Sequence, residues 1–209
     1  MRAIIITRDR VTYARRCLAA LQEARLDVVV VDHGSTWGPM LDWLDENREL
    51  VVRRGDHGPH DLWQGDLLTR LVGHGRFLVT DPDVVPAADC PADWPARLAA
   101  GLEAHPQAVK AGLSLRLDNL PEHRTGQRQF IDTYERSAWE LPLGGGWFAA
   151  PVDTTLAMYR SAERFDYGPA VRSAAPYQAE HLPWYVDPAE YTNEDRYYRA
   201  RALAGVTHY

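Results

Sequence analysis

Two carboxylates one residue apart, Asp81 and Asp83, close a short apolar run within Arg76 to Pro86, RFLVTDPDVVP. Phe77-Leu78-Val79 is short and partly β-branched, which predicts a buried strand. Pro82 fixes its own φ and biases Asp81 towards extended backbone. Both carboxylates are thereby held at the carboxyl end of a core strand, where open α/β sheets place their ligands. Carboxylates this close repel unless positive charge sits between them. Hard oxygen ligands of this kind suit Mg²⁺ or Mn²⁺ bridging to a substrate diphosphate. Asp-Pro-Asp is also an ordinary turn sequence, so its meaning depends on the elements around it.

Those elements alternate. Ala3 to Ile6 predicts a first strand, followed by a helix with Ala14, Cys17, Leu18 and Leu21 on one face. Val28 to Val31 is a second strand, apolar throughout as in the centre of a parallel sheet. Pro39 opens a second helix carrying Met40, Leu41 and Leu44. Leu50 to Arg53 is a third strand, Asp61 to Val72 a third helix, and Phe77 to Val79 the fourth strand. Strands alternating with helices imply a parallel sheet with helices on both faces. The fold class is therefore α/β: one domain, Rossmann-like, with a mostly parallel sheet. The first, second and fourth strands run straight into Thr7-Arg8, Asp32 and Thr80-Asp81, and the third reaches Asp56. In a parallel sheet these ends converge on one edge. Thr7, Arg8, Asp32, Asp56 and Asp81 are the candidate nucleotide-binding residues. Asp32 would equally cap the second helix or shape a turn.

Composition narrows the class. A chain of 209 residues suits one domain. A net charge of −6 argues against a broad basic nucleic-acid surface. No apolar run reaches membrane-spanning length, and MRAIIITRDR lacks a signal-peptide pattern. Cys17 and Cys90 lack metal-ligand spacing, which with the rest points to a reducing cytoplasm. Of the 7 tryptophans, Trp147 and Trp184 are assigned functional weight. No Gly-x-Gly-x-x-Gly follows the first strand and no Gly-Lys-Ser/Thr loop occurs, which disfavours dinucleotide oxidoreductases and P-loop enzymes.

Beyond Pro86 the pattern changes. Asp93 to Ala104 predicts a helix, Val109 to Leu117 a strand, Asn119 to Gln127 a loop and Ile131 to Trp139 a short helix. Gly144-Gly145-Gly146 either lets backbone approach a ligand or marks a bulge or hinge. Ala170 to Ala179 reads as extended and leads into Glu180-His181-Leu182-Pro183-Trp184-Tyr185. Thr192 caps a last helix with Glu194 and Asp195 in its first turn, and Gly205 would stop it.

Taken in order, TRDR after the first strand, VVVDHGST around the end of the second and LVTDPDVVP at the fourth resemble family 2 glycosyltransferases of the GT-A fold. The resemblance covers residues 1–86 and continues as short motifs in PVDTTLAMYR, EHLPWY and NEDRYYRAR. It implies a nucleotide-sugar-binding half over 1–86 and an acceptor and catalytic half over 87–209. The implied donor is a UDP-sugar, with Asp32 on the base and Asp81 on ribose or a metal-bound water. Mn²⁺ or Mg²⁺ would be held by Asp83 and His181, with Asp81 beside them. Gly144 to Gly146 would be the acceptor-side loop. The implied reaction is an inverting transfer to a hydroxyl, with the acceptor a glycan, lipid, protein or modified nucleic-acid base. Two assignments of the remaining roles stay open. In one, Asp153 is the base and His181 the metal histidine. In the other, Asp195 is the base and His208 the histidine. The Pro-Trp-Tyr context favours His181. Its place soon after the glycines, before two threonines, favours Asp153.

Three rivals share features. A sugar nucleotidyltransferase would want a glycine-rich loop where TRDR stands. An aspartyl phosphatase carries its Asp-x-Asp on the first strand, followed by Thr, where Val84 stands here. A non-catalytic nucleotide-sugar-binding module would need only the donor half.

Overall fold

The computed structural model describes residues 1–55, 59–121, 131, 133, 135–153, 155–162 and 168–201. Strands β1 (Arg2–Thr7), β2 (Asp27–His33), β3 (Val51–Arg54) and β4 (Phe77–Thr80) alternate with helices α1 (Val11–Glu23), α2 (Gly38–Glu46) and α3 (Leu67–Val72). There follow β5 (Val84–Pro86), α4 (Trp94–Ala104), β6 (Lys110–Leu115) and the hairpin strands β7 (Pro142–Gly144) and β8 (Trp147–Ala149). Strands β9 (Ala157–Tyr159) and β10 (Ala170–His181) and helix α5 (Asn193–Arg201) complete the described chain.

One sheet runs β3-β2-β1-β4-β9-β6-β10-β8-β7, with β5 on β10. The first four strands are parallel, as the alternation predicts. Strand β9 then enters antiparallel between β4 and β6, and β10 resumes the original direction beside β6. Strands β5 and β8 also run against the majority. The sheet is thus mixed but mostly parallel. Successive residues of a strand face opposite sides, so Ile5, Val30 and Leu78 join α1, α2 and α4 in one core. Ile4, Val31 and Val79 join α3 in the other.

Two expectations need correction. The helix expected over Asp61 to Val72 is split into a 3₁₀ turn over Pro59–Trp63 and the short α3. Between them Gly65 sits at φ +72°, a left-handed backbone that ends the helical path. Trp147 is a core residue, 4% exposed, its ring lying against Gly101 of α4. The loop expected over Asn119 to Gln127 lies mostly outside the described residues, as do Gly205 and part of the helix expected over Ile131 to Trp139.

A Cβ on Gly101 would lie under 3.0 Å from three Trp147 ring atoms. Overpacking a core costs about 1–3 kcal/mol, against roughly 1 kcal/mol gained in helix propensity. Gly101→Ala should therefore lower stability in urea unfolding; a variant more stable than wild type would contradict this packing.

Candidate active site

The carboxyl end of β1 turns sharply. Asp9 takes φ +54°, a left-handed conformation that Asp tolerates better than most residues. That turn buries its carboxylate, 1% exposed, under the start of α2. Oδ1 accepts from the Thr36 N–H at 2.6 Å and the Trp37 N–H at 2.7 Å. The Asp9 N–H donates to Ser35 Oγ at 2.8 Å, and that hydroxyl donates to Asp32 Oδ1 at 2.5 Å. Asp9 was not singled out as a site residue in the sequence. Its only signal was a carboxylate flanked by arginines in TRDR.

Thr7 and Asp32 are register partners across β1 and β2, so both candidate nucleotide contacts lie side by side. Both are buried. Burial pushes the Asp32 carboxyl up, while the Ser35 hydroxyl and N–H hold it back. Asp32 therefore does shape the turn, and does so at the strand end where a ligand would sit. Thr7 Oγ1 is buried with no hydrogen-bond partner among the described residues. Arg8 is half-buried, its Nε 3.8 Å from Asp9 Oδ2. Asp56 and His208 lie outside the described residues.

Past β4 the two carboxylates differ in burial. Asp81 is half-buried, and its carbonyl accepts from the Thr80 hydroxyl at 3.0 Å and the Cys17 thiol at 3.8 Å. Asp83 is buried, and its carbonyl accepts from the Leu182 N–H at 2.8 Å. The antiparallel β5–β10 ladder pairs Val84 with His181, and this brings His181 Nε2 to 3.8 Å from Asp83 Oδ1. The Trp184 ring packs edge-on to the imidazole at 4.7 Å. Two metal–ligand bonds of about 2.1 Å reach across at most ~4.2 Å, so one cation fits between these atoms. Among the described residues no group of three or more His, Cys, Asp or Glu side chains is arranged for a metal. The remaining positions of such a cation would fall to water or a bound ligand, which is usual for Mg²⁺ sites.

Helix α5 adds the third group. Thr192 and Asp195 form a reciprocal cap: Asp195 Oδ2 accepts from the Thr192 N–H at 2.9 Å and hydroxyl at 2.6 Å. In return the Asp195 N–H donates to the Thr192 hydroxyl at 3.2 Å. Asp195 Oδ1 lies 3.7 Å from Arg10 Nη2. Glu194 accepts from the Thr12 N–H and hydroxyl, each at 3.1 Å, at the first turn of α1. Burial pushes the Tyr13 hydroxyl up to about 12; Arg10 pulls against this, and Asp195, Asp83 and Glu194 add to it. Asp195 is a neighbour of Tyr13 at this corner. A shallow cleft opens beside it, lined by Arg10, Pro183, Tyr191, Asp195 and Arg199.

Asp153 lies elsewhere. It is exposed, its neighbour Val152 packs in the core on the α3 face, and its carbonyl accepts from Tyr159 Oη at 3.3 Å and Lys110 Nζ at 3.4 Å. The Gly144 to Gly146 segment is the turn of the β7–β8 hairpin, with φ of +82°, +60° and +76°. Arg97 donates to the Gly145 and Gly146 carbonyls and stacks over Trp147 at 4.4 Å.

No family model and no curated protein matches the sequence. Among solved structures, GalNAc-T7 with UDP, GalNAc and Mn²⁺ aligns with a TM-score of 0.55 at 10% identity, over 86% of this chain and 43% of that one. Glucosyl-3-phosphoglycerate synthase from Mycobacterium tuberculosis, in complex with phosphoglyceric acid, aligns with a TM-score of 0.43 at 13% identity, over 78% of this chain and 56% of that one. The chain has the fold of the GT-A glycosyltransferases, and spans under half the length of the GalNAc-T7 chain. Among the described residues no helix is long and apolar enough to cross a membrane.

Glu194 gives a pH test. Burial raises its carboxyl above the ordinary value of 4.5, with Thr12 and Arg10 opposing. A carboxyl raised in the folded state contributes stability below the unfolded pKa and loses it as pH rises through the folded one. The melting temperature of wild type relative to Glu194→Gln should therefore fall from about pH 4 to about pH 7. A difference that grows over this range contradicts the burial argument.

Proposed function

We propose that the chain is a metal-dependent glycosyltransferase moving a sugar from a UDP-sugar to a hydroxyl acceptor. The observation that carries this reading is the approach of His181 Nε2 to 3.8 Å from Asp83 Oδ1, together with the buried Thr7–Asp32 pair, on a GT-A fold. The GalNAc-T7 structure, described with UDP and Mn²⁺, supports the same donor class. Residues 1–86 would hold the donor and the rest would form the acceptor side.

Asp32 and the unsatisfied Thr7 hydroxyl would face the uracil or ribose, with Arg8 close by. Asp83 and His181 would hold a divalent cation on the diphosphate, with Asp81 turned to ribose or a coordinated water. When bound, Mn²⁺ or Mg²⁺ would offset the negative charge gathering on the leaving diphosphate. Asp195 would accept the acceptor's hydroxyl proton at Oδ1, since Thr192 already occupies Oδ2 twice. Asp195 is preferred over Asp153 because it lines the cleft with Tyr13 and Pro183, two residues from His181, whereas Asp153 is exposed and lines no part of it. A single displacement inverts the anomeric centre. The sugar and the acceptor class, whether glycan, lipid, protein or modified base, stay open.

The rival nucleotidyltransferase reading is weakened because the segment after β1 is filled by the buried Asp9 and Arg10. A non-catalytic module would bind UDP and Mn²⁺ yet release no UDP from a sugar donor.

Asp83→Ala should abolish Mn²⁺-supported UDP binding in calorimetry while melting as wild type does. Affinity left unchanged would remove the Asp-x-Asp assignment. For the base, Asp195→Asn should cut turnover about a hundredfold or more with little change in UDP affinity. Asp153→Asn should stay near wild type. The reverse pattern in transfer rates with one accepted donor would return the role to Asp153.

A further inference from the structure

The guanidinium of Arg10 is 2% exposed, an unusual place for a charge on the residue that opens α1. It lies between two aromatic faces, 4.2 Å from the Tyr13 ring centroid and 4.5 Å from that of Tyr198 in α5. Its Nη2 is 3.7 Å from Asp195 Oδ1. One side chain from the β1–α1 corner therefore meets α5 through both a ring and a carboxylate. The next residues add to the same junction, Thr12 bonding Glu194. On the other flank Thr36 Oγ1 lies 2.9 Å from Tyr197 Oη, and Trp37 packs on the Tyr197 ring at 4.6 Å. Helix α5 presents almost no apolar surface to the cores: its buried residues are Glu194 and Asp195. Polar and cation–π contacts therefore fix where this helix sits.

We propose that Arg10 is the positioning residue of the site: it anchors α5 to the donor half and fixes the Asp195 carboxylate beside Tyr13. This rests on the reading of Asp195 as base. A guanidinium suits the role because its flat face stacks between rings while its edge meets a carboxylate. A base held this way needs little reorganisation when the acceptor arrives, so the effect of losing Arg10 belongs on turnover and not on donor binding. The donor contacts, Thr7, Asp32, Asp83 and His181, sit on strands or strand ends that Arg10 does not build.

The test compares wild type, Arg10→Gln and Arg10→Lys. Measured quantities are kcat with an accepted UDP-sugar, UDP affinity with Mn²⁺, and amide exchange of Asn193–Arg201. Arg10→Gln should lower kcat about tenfold or more, leave UDP affinity within about twofold, and speed exchange across α5 but not across β1. Arg10→Lys, which keeps the charge, should fall between the two. Unchanged kcat in Arg10→Gln overturns the proposal, as does a loss confined to UDP affinity or a lysine variant no better than glutamine. If wild type turns over no UDP-sugar, or Asp195→Asn is fully active, the base reading fails. Exchange then decides the anchoring by itself: unchanged protection of α5 in Arg10→Gln overturns it.

Discussion

The structure depends on keeping several charges buried at the carboxyl ends of β1 and β2. Asp9, Arg10 and Asp32 are each 3% exposed or less. A buried charge left without a partner costs about 3–5 kcal/mol when its pair is broken, so these groups stay only where their partners are fixed. Asp9 Oδ1 accepts from the Thr36 and Trp37 amides that lead into α2, where a carboxylate also meets the positive end of the helix dipole. Ser35 links Asp9 to Asp32, so the turn after β1 and the turn after β2 are held as one unit. Arg10 extends that unit to the far end of the chain through Asp195. The three segments that would contact the donor and the acceptor are thus joined by polar bonds at the surface of an otherwise apolar double core.

The Asp83–His181 pair is built on a different principle. His181 and Asp83 meet because β5 runs antiparallel on β10, and the ladder that pairs Val84 with His181 brings the imidazole up to the carboxylate. A strand ladder limits motion along both chains, which suits ligands that must stay within a few tenths of an ångström of a cation. Among the described residues no third His, Cys, Asp or Glu side chain joins them in a group arranged for a metal. A cation held by two side chains alone would take its remaining ligands from water or a bound ligand, so its affinity would rise and fall with that ligand.

Much of the first half was legible in the sequence because its physics is local. Continuous apolar runs such as Val28 to Val31 mark strands buried on both faces, and the i, i+3, i+4 spacing from Ala14 marks α1. The polar residues ending those strands fall where parallel topology requires. The helix over Asp61 to Val72 was misread because Gly65 breaks it, and an isolated glycine inside an apolar pattern does not declare whether it ends the helix. Trp147 could not be told from a ligand-facing aromatic, since its environment is set by Gly101, 46 positions earlier. The insertion of β9 between β4 and β6 is a long-range pairing that three residues, Ala157 to Tyr159, carry no pattern to announce. Asp9 was passed over because its role comes from a left-handed turn and from partners in the next βα unit.

The choice between Asp153 and Asp195 shows the same limit at the site itself. Sequence order favours Asp153, which follows the glycine segment closely. Proximity in sequence carries weight only if the intervening chain leads to the same place, and here Asp153 is exposed and lines no part of the cleft that Asp195 shares with Tyr13 and Pro183. Asp195 is 112 positions beyond Asp83 yet lines a cleft with Pro183, the residue after the Leu182 whose N–H bonds the Asp83 carbonyl. What closes that distance is a buried arginine held between tyrosines from both ends of the chain. A carboxylate held this way keeps one oxygen committed to its own helix cap and the other turned to Arg10 and the cleft. That division lets a single residue cap the start of a helix, anchor it, and still leave an atom facing the cleft.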